Sequence, residues 1–319
     1  MRLRRLLAPA LAAWVVTASA AQGFPAVKSR IEPVEVTSRA WYVQGGPGVA
    51  SAANEGYNSN AGFVVTDEGV VVIDALGSPS LGLELVKAIR KVTDKPIRRV
   101  IVTHYHADHF YGLQPLKDAG AEVWAHRGSL GYFTSGEAGR RRAQRAEALY
   151  PWVDRDMPFV MADRWLDGDE SFTLGGVRFE VQHFGPAHSA EDLVVVVPGE
   201  GVVFSGDILF TGRVPFVGEA DSKAWLARIS RLIDLKPRLM VTGHGEVSRE
   251  PAKDLELTRD YLLFLRAEMG RAVADFVPFE EAYRRTDWSR YAHLPAFEAA
   301  NRVNAYGTFL LMERESLGK

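Results

Sequence analysis

The sequence predicts an α+β fold closed by a helical tail, and three observations predict it. Apolar residues make up 47 % and charged residues 24 % of the 319 residues, an ordinary globular balance with length enough for a well-buried core. Between residues 31 and 245, short apolar runs of strand character alternate with stretches of helical spacing. After Pro251 the strand signals stop, and helical patterns broken at Pro278, Thr286 to Ser289 and Pro295 fill the rest.

Taken in order, residues 31–44 alternate loosely and read as strand. Residues 45–60, rich in Gly, Ala, Ser and Asn, read as a mobile loop. Residues 61–66 and 70–74 are strands joined by the turn Asp67-Glu68-Gly69. Leu81, Leu85, Ala88, Ile89 and Val92 give one face of a helix. A strand over 99–103 runs into a histidine cluster, a helix from near His109 stops at Gly120, and 122–125 is a strand again. The first half thus reads β-β-α-β-α-β. Residues 135–165 read as one amphipathic helix and a long loop. Two hairpins follow, at Gly175-Gly176 and at Pro198-Gly199-Glu200-Gly201. A helix over 224–235 and a strand over 239–242 complete the pattern. The expected organisation is a main domain over 31–250 and a helical extension over 251–319, packed on it and available to shape a pocket or a homo-oligomer surface.

Residues 1–20 differ in kind. Arg2, Arg4 and Arg5 precede an apolar run over 6–16, and Thr17-Ala18-Ser19-Ala20 ends it with a small-x-small pattern. This is the layout of a secretory signal peptide, with cleavage expected after Ala20. The apolar run is short of the about 20 residues a membrane span needs, and a chain with no Cys carries no lipoprotein anchor. The mature protein is therefore expected to be periplasmic or secreted, with no stable membrane anchor. Cleavage removes three Arg and no acid, so the formal charge of −2 becomes −5. Nothing there suggests nucleic acid, and the basic cluster Arg140, Arg141, Arg142 and Arg145 reads as the solvated face of a helix. The expected partner is a small-molecule substrate.

The strongest chemical signal is Thr103-His104-Tyr105-His106-Ala107-Asp108-His109, directly after an apolar strand. Imidazole and carboxylate are first-row metal ligands, and without Cys every ligand must be His, Asp or Glu. Alternate side chains of a loop leaving a strand share a direction, so His104 and His106 can serve one point and Asp108 and His109 a neighbouring one. His188, Asp207 and His244 lie further on, near Gly185, Gly206, Gly243 and Gly245, where the backbone can turn sharply. Seven ligands are too many for one tetrahedral ion. Of the remaining histidines, His126 is placed near the cleft rim, His183 is read as structural, and His293 is assigned nothing. Tyr105, Phe110 and Tyr111 read as core or pocket wall, Trp225 as core, and Asn58 and Asn60 as candidate pocket residues.

With these residues the sequence resembles the metallo-β-lactamase superfamily over about residues 31–245. The resemblance implies an αββα sandwich with two metals at one edge. It gives His104, His106 and His188 to the first metal, Asp108, His109 and His244 to the second, and Asp207 to both. It also makes Asp74, after Val70-Val71-Val72-Ile73, a support for the histidine loop. One true β-lactamase pattern has Cys where Asp207 stands. The bridging Asp is similar to the wider hydrolase group, glyoxalase II included, and the run from Ser205 to Phe216 looks like exported relatives found beside sulfur-oxidation or quinoprotein-dehydrogenase systems.

The expected activity is that of a zinc-dependent metallohydrolase with two Zn²⁺, iron or manganese being compatible with the same ligands. A metal-bridging hydroxide would cleave an ester, thioester, lactone or amide. Asp108 would bind metal and take the proton of the attacking water. Arg213 would hold a substrate carboxylate or make a structural ion pair. The alternatives are a periplasmic β-lactamase and a non-catalytic metal-binding accessory of a periplasmic redox system.

Overall fold

The computed structural model describes residues 23–218 and 220–318, so the expected signal peptide over 1–20 lies outside the described residues. Two sheets form the centre. The first orders β1 (Val34–Glu35), β2 (Ala40–Val43), β3 (Ala61–Val65), β4 (Val70–Ile73), β5 (Ile97–Ile101), β6 (Glu122–His126) and β7 (Arg164–Leu166) side by side. Its neighbours are antiparallel as far as β4 and parallel from there to β7. The second sheet runs β12 (Leu239–Val241), β11 (Val202–Phe204), β10 (Leu193–Val197), β9 (Val177–His183), β8 (Glu170–Leu174). Only β11 and β12 are parallel in it.

Strand periodicity divides the core into layers. Along β4, Val70 and Val72 face one core and Val71 and Ile73 another. Phe63 and Val64 on β3, and Val100 and Ile101 on β5, divide the same way. In the second sheet Val195, Val202 and Val241 join Val71 and Ile73 between the sheets, while Val194, Val203 and Met240 face outward. Strands β4, β11 and β12 are buried on both faces, which is why they read as unbroken apolar runs. Helices α1 (Pro79–Val92), α2 (Ala107–Phe110), α3 (Leu113–Asp118), α4 (Leu130–Thr134) and α5 (Glu137–Leu149) belong with the first sheet. The outer face of the second is covered by α6 (Ser222–Asp234), α7 (Pro251–Ala274), α8 (Phe279–Arg285) and α9 (Phe297–Ser316). The result is the α-β-β-α sandwich.

Local chemistry sets the element ends. The Ser78 hydroxyl accepts from Leu81 N at 3.2 Å and Pro79 occupies the first turn, so α1 starts two residues before its apolar stripe. Gly175 and Gly176, at φ 47° and 77°, close the β8–β9 hairpin with both central residues in the left-handed region.

Four expectations need correction. The single strand over 31–44 is two short ones, because Thr37 Oγ1 accepts from the backbone of Arg39 and Ala40 and turns the chain. The helix from near His109 starts at Ala107 and is broken into α2 and α3. The long loop to Trp165 ends in β7, which pairs with β6 at Ala125 and Trp165. The mobile loop over 45–60 is anchored: Asn58, Ser59 and Asn60 are buried, and Asn60 Nδ2 donates to the carbonyls of Thr242 and Gly245 at 2.9 and 2.8 Å.

Helix α9 is tied to the loop that follows β11 by one buried amide. Asn304 Oδ1 accepts from Val217 N and Gly218 N at 2.8 and 3.1 Å, and Nδ2 donates to Pro215 O at 2.8 Å. Asn304→Ala leaves these groups unpaired in a dry interior, so it should lower unfolding free energy by about 2–4 kcal/mol. Denaturant unfolding checks this, and a loss below about 0.5 kcal/mol would show that water replaces the amide.

Candidate metal centre

The site is built on the carboxyl ends of strands. Asp74 follows β4 at φ 64°, a conformation Asp tolerates better than most residues. From there it organises the histidine loop beyond β5. Asp74 Oδ1 accepts from Thr103 N at 2.7 Å, and Oδ2 accepts from Thr103 Oγ1 at 2.8 Å and from His109 Nδ1 at 2.9 Å. Thr103 Oγ1 in turn lies 3.0 Å from His104 Nδ1. His244 Nδ1 donates to the Asn58 carbonyl at 2.7 Å. In His104, His109 and His244 the Nδ1 is thus engaged with oxygen, which turns each Nε2 lone pair inward.

These inward atoms meet in two groups. His106 Nδ1 is 3.1 Å from His104 Nε2 and 2.8 Å from His188 Nε2. Asp207 Oδ2 is 3.8 Å from His104 Nε2 and 3.3 Å from His188 Nε2. Beside them stand Asp108, His109 and His244, with His244 Nε2 3.5 Å from Asp108 Oδ2. Asp207 reaches this second group as well, Oδ1 lying 3.3 Å from His109 Nε2 and Oδ2 3.4 Å from His244 Nε2. Four ligands about 2.0–2.2 Å from an ion sit roughly 3.3–3.6 Å from one another, so the spacing fits metal coordination. The orphaned atoms fit too: His109 Nε2 and Asp207 Oδ1 are buried with no hydrogen-bond partner among the described residues. All seven residues expected as ligands are brought together, and Asp74 stands behind them.

Electrostatics agrees with this arrangement. Burial holds His104 and His106 well below the usual histidine range, and neighbouring imidazoles add to the effect. Burial pushes His188 down to about 4 against the pull of Asp207. These rings are neutral near pH 7, the form that binds metal. Burial opposes the charge on Asp207, but His244, His109 and His188 outweigh it and keep the carboxyl well below its usual range. Asp108 is likewise held low, burial being outweighed by His109, His244 and Arg145. His109 goes the other way: burial is overcome by Asp207 and Asp74, which favour a positive charge at that spot.

A cleft of about 370 Å³ opens onto these donors, and Asn58, Tyr132, Arg145, Arg213 and Phe216 are among its walls. Arg213 is buried; its Nη1 donates to Gly48 O at 3.2 Å. Asn58 Nδ2 donates to Asp108 Oδ2 at 3.0 Å, and Ser59 Oγ to Asp108 O at 2.5 Å, so the anchored loop holds a candidate ligand directly. Asn60 stitches this loop to the His244 turn and does not line the cleft. Tyr105, Phe110 and Tyr111 are core and not pocket wall. Trp225 is core as expected, its Nε1 donating to Ile208 O at 3.1 Å. His126 stacks on His183 with ring centroids 3.8 Å apart, away from the cleft, so neither joins the donors.

Sequence reasoning missed the polar cleft residues on α5. Arg141, Gln144 and Arg145 line the cavity, although the basic cluster read as a solvated face. Arg140 fits that reading, being exposed and paired with Glu137. Arg142 packs inward instead, 4.6 Å over the Phe159 ring. The i, i+4 spacing of Arg141 and Arg145 was a signal, but only tertiary packing decides which way such a face points.

Gly243 is required by the shared carboxylate. A Cβ there would lie 1.9 Å from Asp207 Oδ1. Gly243→Ala should therefore displace Asp207 and weaken metal binding about tenfold or more, with the fold retained. Metal titration with circular dichroism checks this, and unchanged affinity would show that Asp207 can retreat without cost.

The sequence profile of the metallo-beta-lactamase superfamily matches residues 54–244, more than half of the chain. A metallo-beta-lactamase type 2 of Elizabethkingia meningoseptica is 26 % identical over 212 residues, 64 % of this chain and 77 % of that protein. A linear primary-alkylsulfatase of Pseudomonas sp. is 23 % identical over 244 residues, 66 % of this chain and 46 % of that protein. Among solved structures, a metallo-beta-lactamase from Pontibacter korlensis has TM-score 0.58 at 22 % identity, covering 73 % of this chain and 99 % of its own. An inverting sec-alkylsulfatase from Pseudomonas sp. has TM-score 0.67 at 18 % identity, covering 90 % of this chain and 50 % of its own. The chain thus spans about half the length of the alkylsulfatases it matches. With profile, layers and donor geometry in agreement, the chain belongs to the metallo-beta-lactamase superfamily, a family of metal-dependent hydrolases.

Proposed function

We propose that this protein is an exported zinc hydrolase holding two metals and cleaving an ester, thioester, lactone or amide bond of a small molecule. The observation that carries this reading is the place of Asp207, 3.3–3.8 Å from four imidazoles of two donor sets. His104, His106 and His188 complete one set and Asp108, His109 and His244 the other. A set of His and Asp donors suits zinc, with iron or manganese compatible. Two divalent cations bound there supply Lewis acidity and acidify water.

The chain's own residues do the rest. Asn58 holds Asp108 by Oδ2, which leaves Oδ1 to orient water and accept its proton. Arg213 presents a fixed cation on the cleft wall to a substrate carboxylate. The cleft gives the donors room for a substrate, which favours catalysis over an accessory, metal-storing role. Sulfate-ester cleavage is a second reading. It is favoured by the alkylsulfatase likeness, which at 90 % of this chain reaches into the C-terminal helices. A β-lactamase reading rests on the type 2 relative.

Metal analysis after metal-replete purification should give about two zinc ions per chain; one or none would overturn the two-metal reading. A panel of ester, thioester, lactone, β-lactam, alkyl sulfate and phosphodiester substrates separates the chemistries. Asp108→Asn should cost about 100- to 10,000-fold in kcat, whereas Arg213→Ala should act mainly on KM. Near-normal turnover by Asp108→Asn with both metals bound would remove the proton role. Protein recovered from a native host should begin at or near Ala21, and an intact Met1 would refute export by cleavage.

A further inference from the structure

We propose that Arg141 and Arg145 on α5 form an anion clamp that selects substrates with an oxyanion group, carboxylate or sulfo, on an apolar body. The substrate half of this inference rests on the hydrolase reading above; the anion-binding half does not.

The two side chains are one helical turn apart on the cleft side of α5, with Gln144 beside them. Their helix is fixed by Ala138, Ala146 and Leu149, which are buried beneath it. Arg141 is oriented by Glu137, whose Oε1 accepts from its Nε at 2.7 Å. Arg145 has one ion pair among the described residues, a long one of 4.0 Å to Asp108 Oδ1. Most of its hydrogen-bonding capacity is therefore not used within the protein, beside the donor cluster. A second cavity of about 310 Å³ adjoins the first and shares Arg141, Tyr132, His106, His188 and Phe216 with it. Arg141 thus stands where the two lobes meet.

Charge and shape point the same way. The first cavity has Arg141, Arg145 and Arg213 against Asp108 and Asp207, so its walls are net positive before any metal adds to them. Guanidinium groups bind planar or tetrahedral oxyanions through paired N–H donors, which a neutral ester does not satisfy. Val49, Ala50, Ala148 and Phe216 supply apolar wall for the rest of the ligand. The proposed ligand is therefore an amphipathic organic anion, gripped from α5.

The test uses the metal-loaded protein and the variants Arg141→Ala, Arg145→Ala and Arg145→Lys, with metal content and circular dichroism measured on each. Calorimetry reads the binding of hexanoate, hexanesulfonate and neutral hexanamide. Each alanine variant should weaken the two anions about tenfold or more, leave hexanamide unchanged and keep both metals, while Arg145→Lys recovers part of the loss. The tighter of the two anions identifies the head group. In parallel, 4-nitrophenyl hexanoate is compared with the 4-nitrophenyl monoester of adipic acid. The wild type should favour the anionic ester, and the alanine variants should lose that preference through KM. If neither ester is cleaved but anion binding depends on the arginines, the clamp stands and the choice of scissile bond falls. Equal anion affinity in wild type and both alanine variants overturns the clamp, whatever the esters show.

Discussion

The constraint on which the molecule depends is the burial of one carboxylate among four imidazoles. Asp207 is 4 % exposed and lies 3.3–3.8 Å from His104, His109, His188 and His244. Ionised groups removed from water cost several kcal/mol each unless they are closely compensated. Here the compensation is uneven, since burial drives His104 and His188 toward the neutral form, while at His109 burial is outweighed by Asp207 and Asp74, which raise its proton affinity. A metal ion at these donors would resolve the conflict, for it satisfies neutral imidazoles and carboxylates together. Metal binding there would be coupled to the order of this region. The chain prepares for it by fixing ring orientations through Asp74, Thr103 and the Asn58 carbonyl.

Topology explains how residues so far apart in sequence meet. Asp74 follows β4, the His104 to His109 loop follows β5, His188 follows β9, Asp207 follows β11 and His244 follows β12. Strands β4 and β5 are parallel, as are β11 and β12, and two antiparallel steps make β9 run with β11. Every one of these residues thus leaves the carboxyl end of a strand at the same edge of the sandwich, where ligands of such sheets collect. Asn58 arrives from the opposite direction, just before β3, which runs antiparallel to β4. The layered core fixes the strands, and the strands fix the donors.

The donors were legible in the sequence because each follows an apolar run and four lie within six residues. Strong strands such as Val70 to Ile73 were legible for the same reason, being covered on both faces. What escaped was whatever tertiary context decides. Strand β7 has three residues, too few for a period to show, and exists because β6 offers it an edge. The loop over 45–60 has the composition of a mobile segment, yet the side-chain amides of Asn58 and Asn60 give it the bonds a strand would take from its neighbours. In α5 the apolar side of Ala138, Ala146 and Leu149 is legible, but the polar side is Arg-rich throughout, so pattern alone could not say that Arg141 and Arg145 meet a cleft while Arg140 meets water.

The C-terminal helices show how such a cleft can be specialised without touching its donors. Asn304 on α9 binds the backbone of residues 215–218, and Phe216 within that loop lines both cavities. Arg213 lies two residues before the loop's first anchor, and its neighbour Val214 donates its N–H to Pro295 O at 3.1 Å. Ala299 on α9 lies on the cleft wall itself. The donors sit on strands locked by two shared cores, whereas the wall facing α5 hangs on helices that follow the last strand. Changes in α8 and α9 can therefore move Arg213 and Phe216 relative to Arg141 and Arg145 and leave the Asp207 geometry intact. The wall that carries Arg213 and Phe216 and the strands that carry the donors are thus held by different parts of the chain.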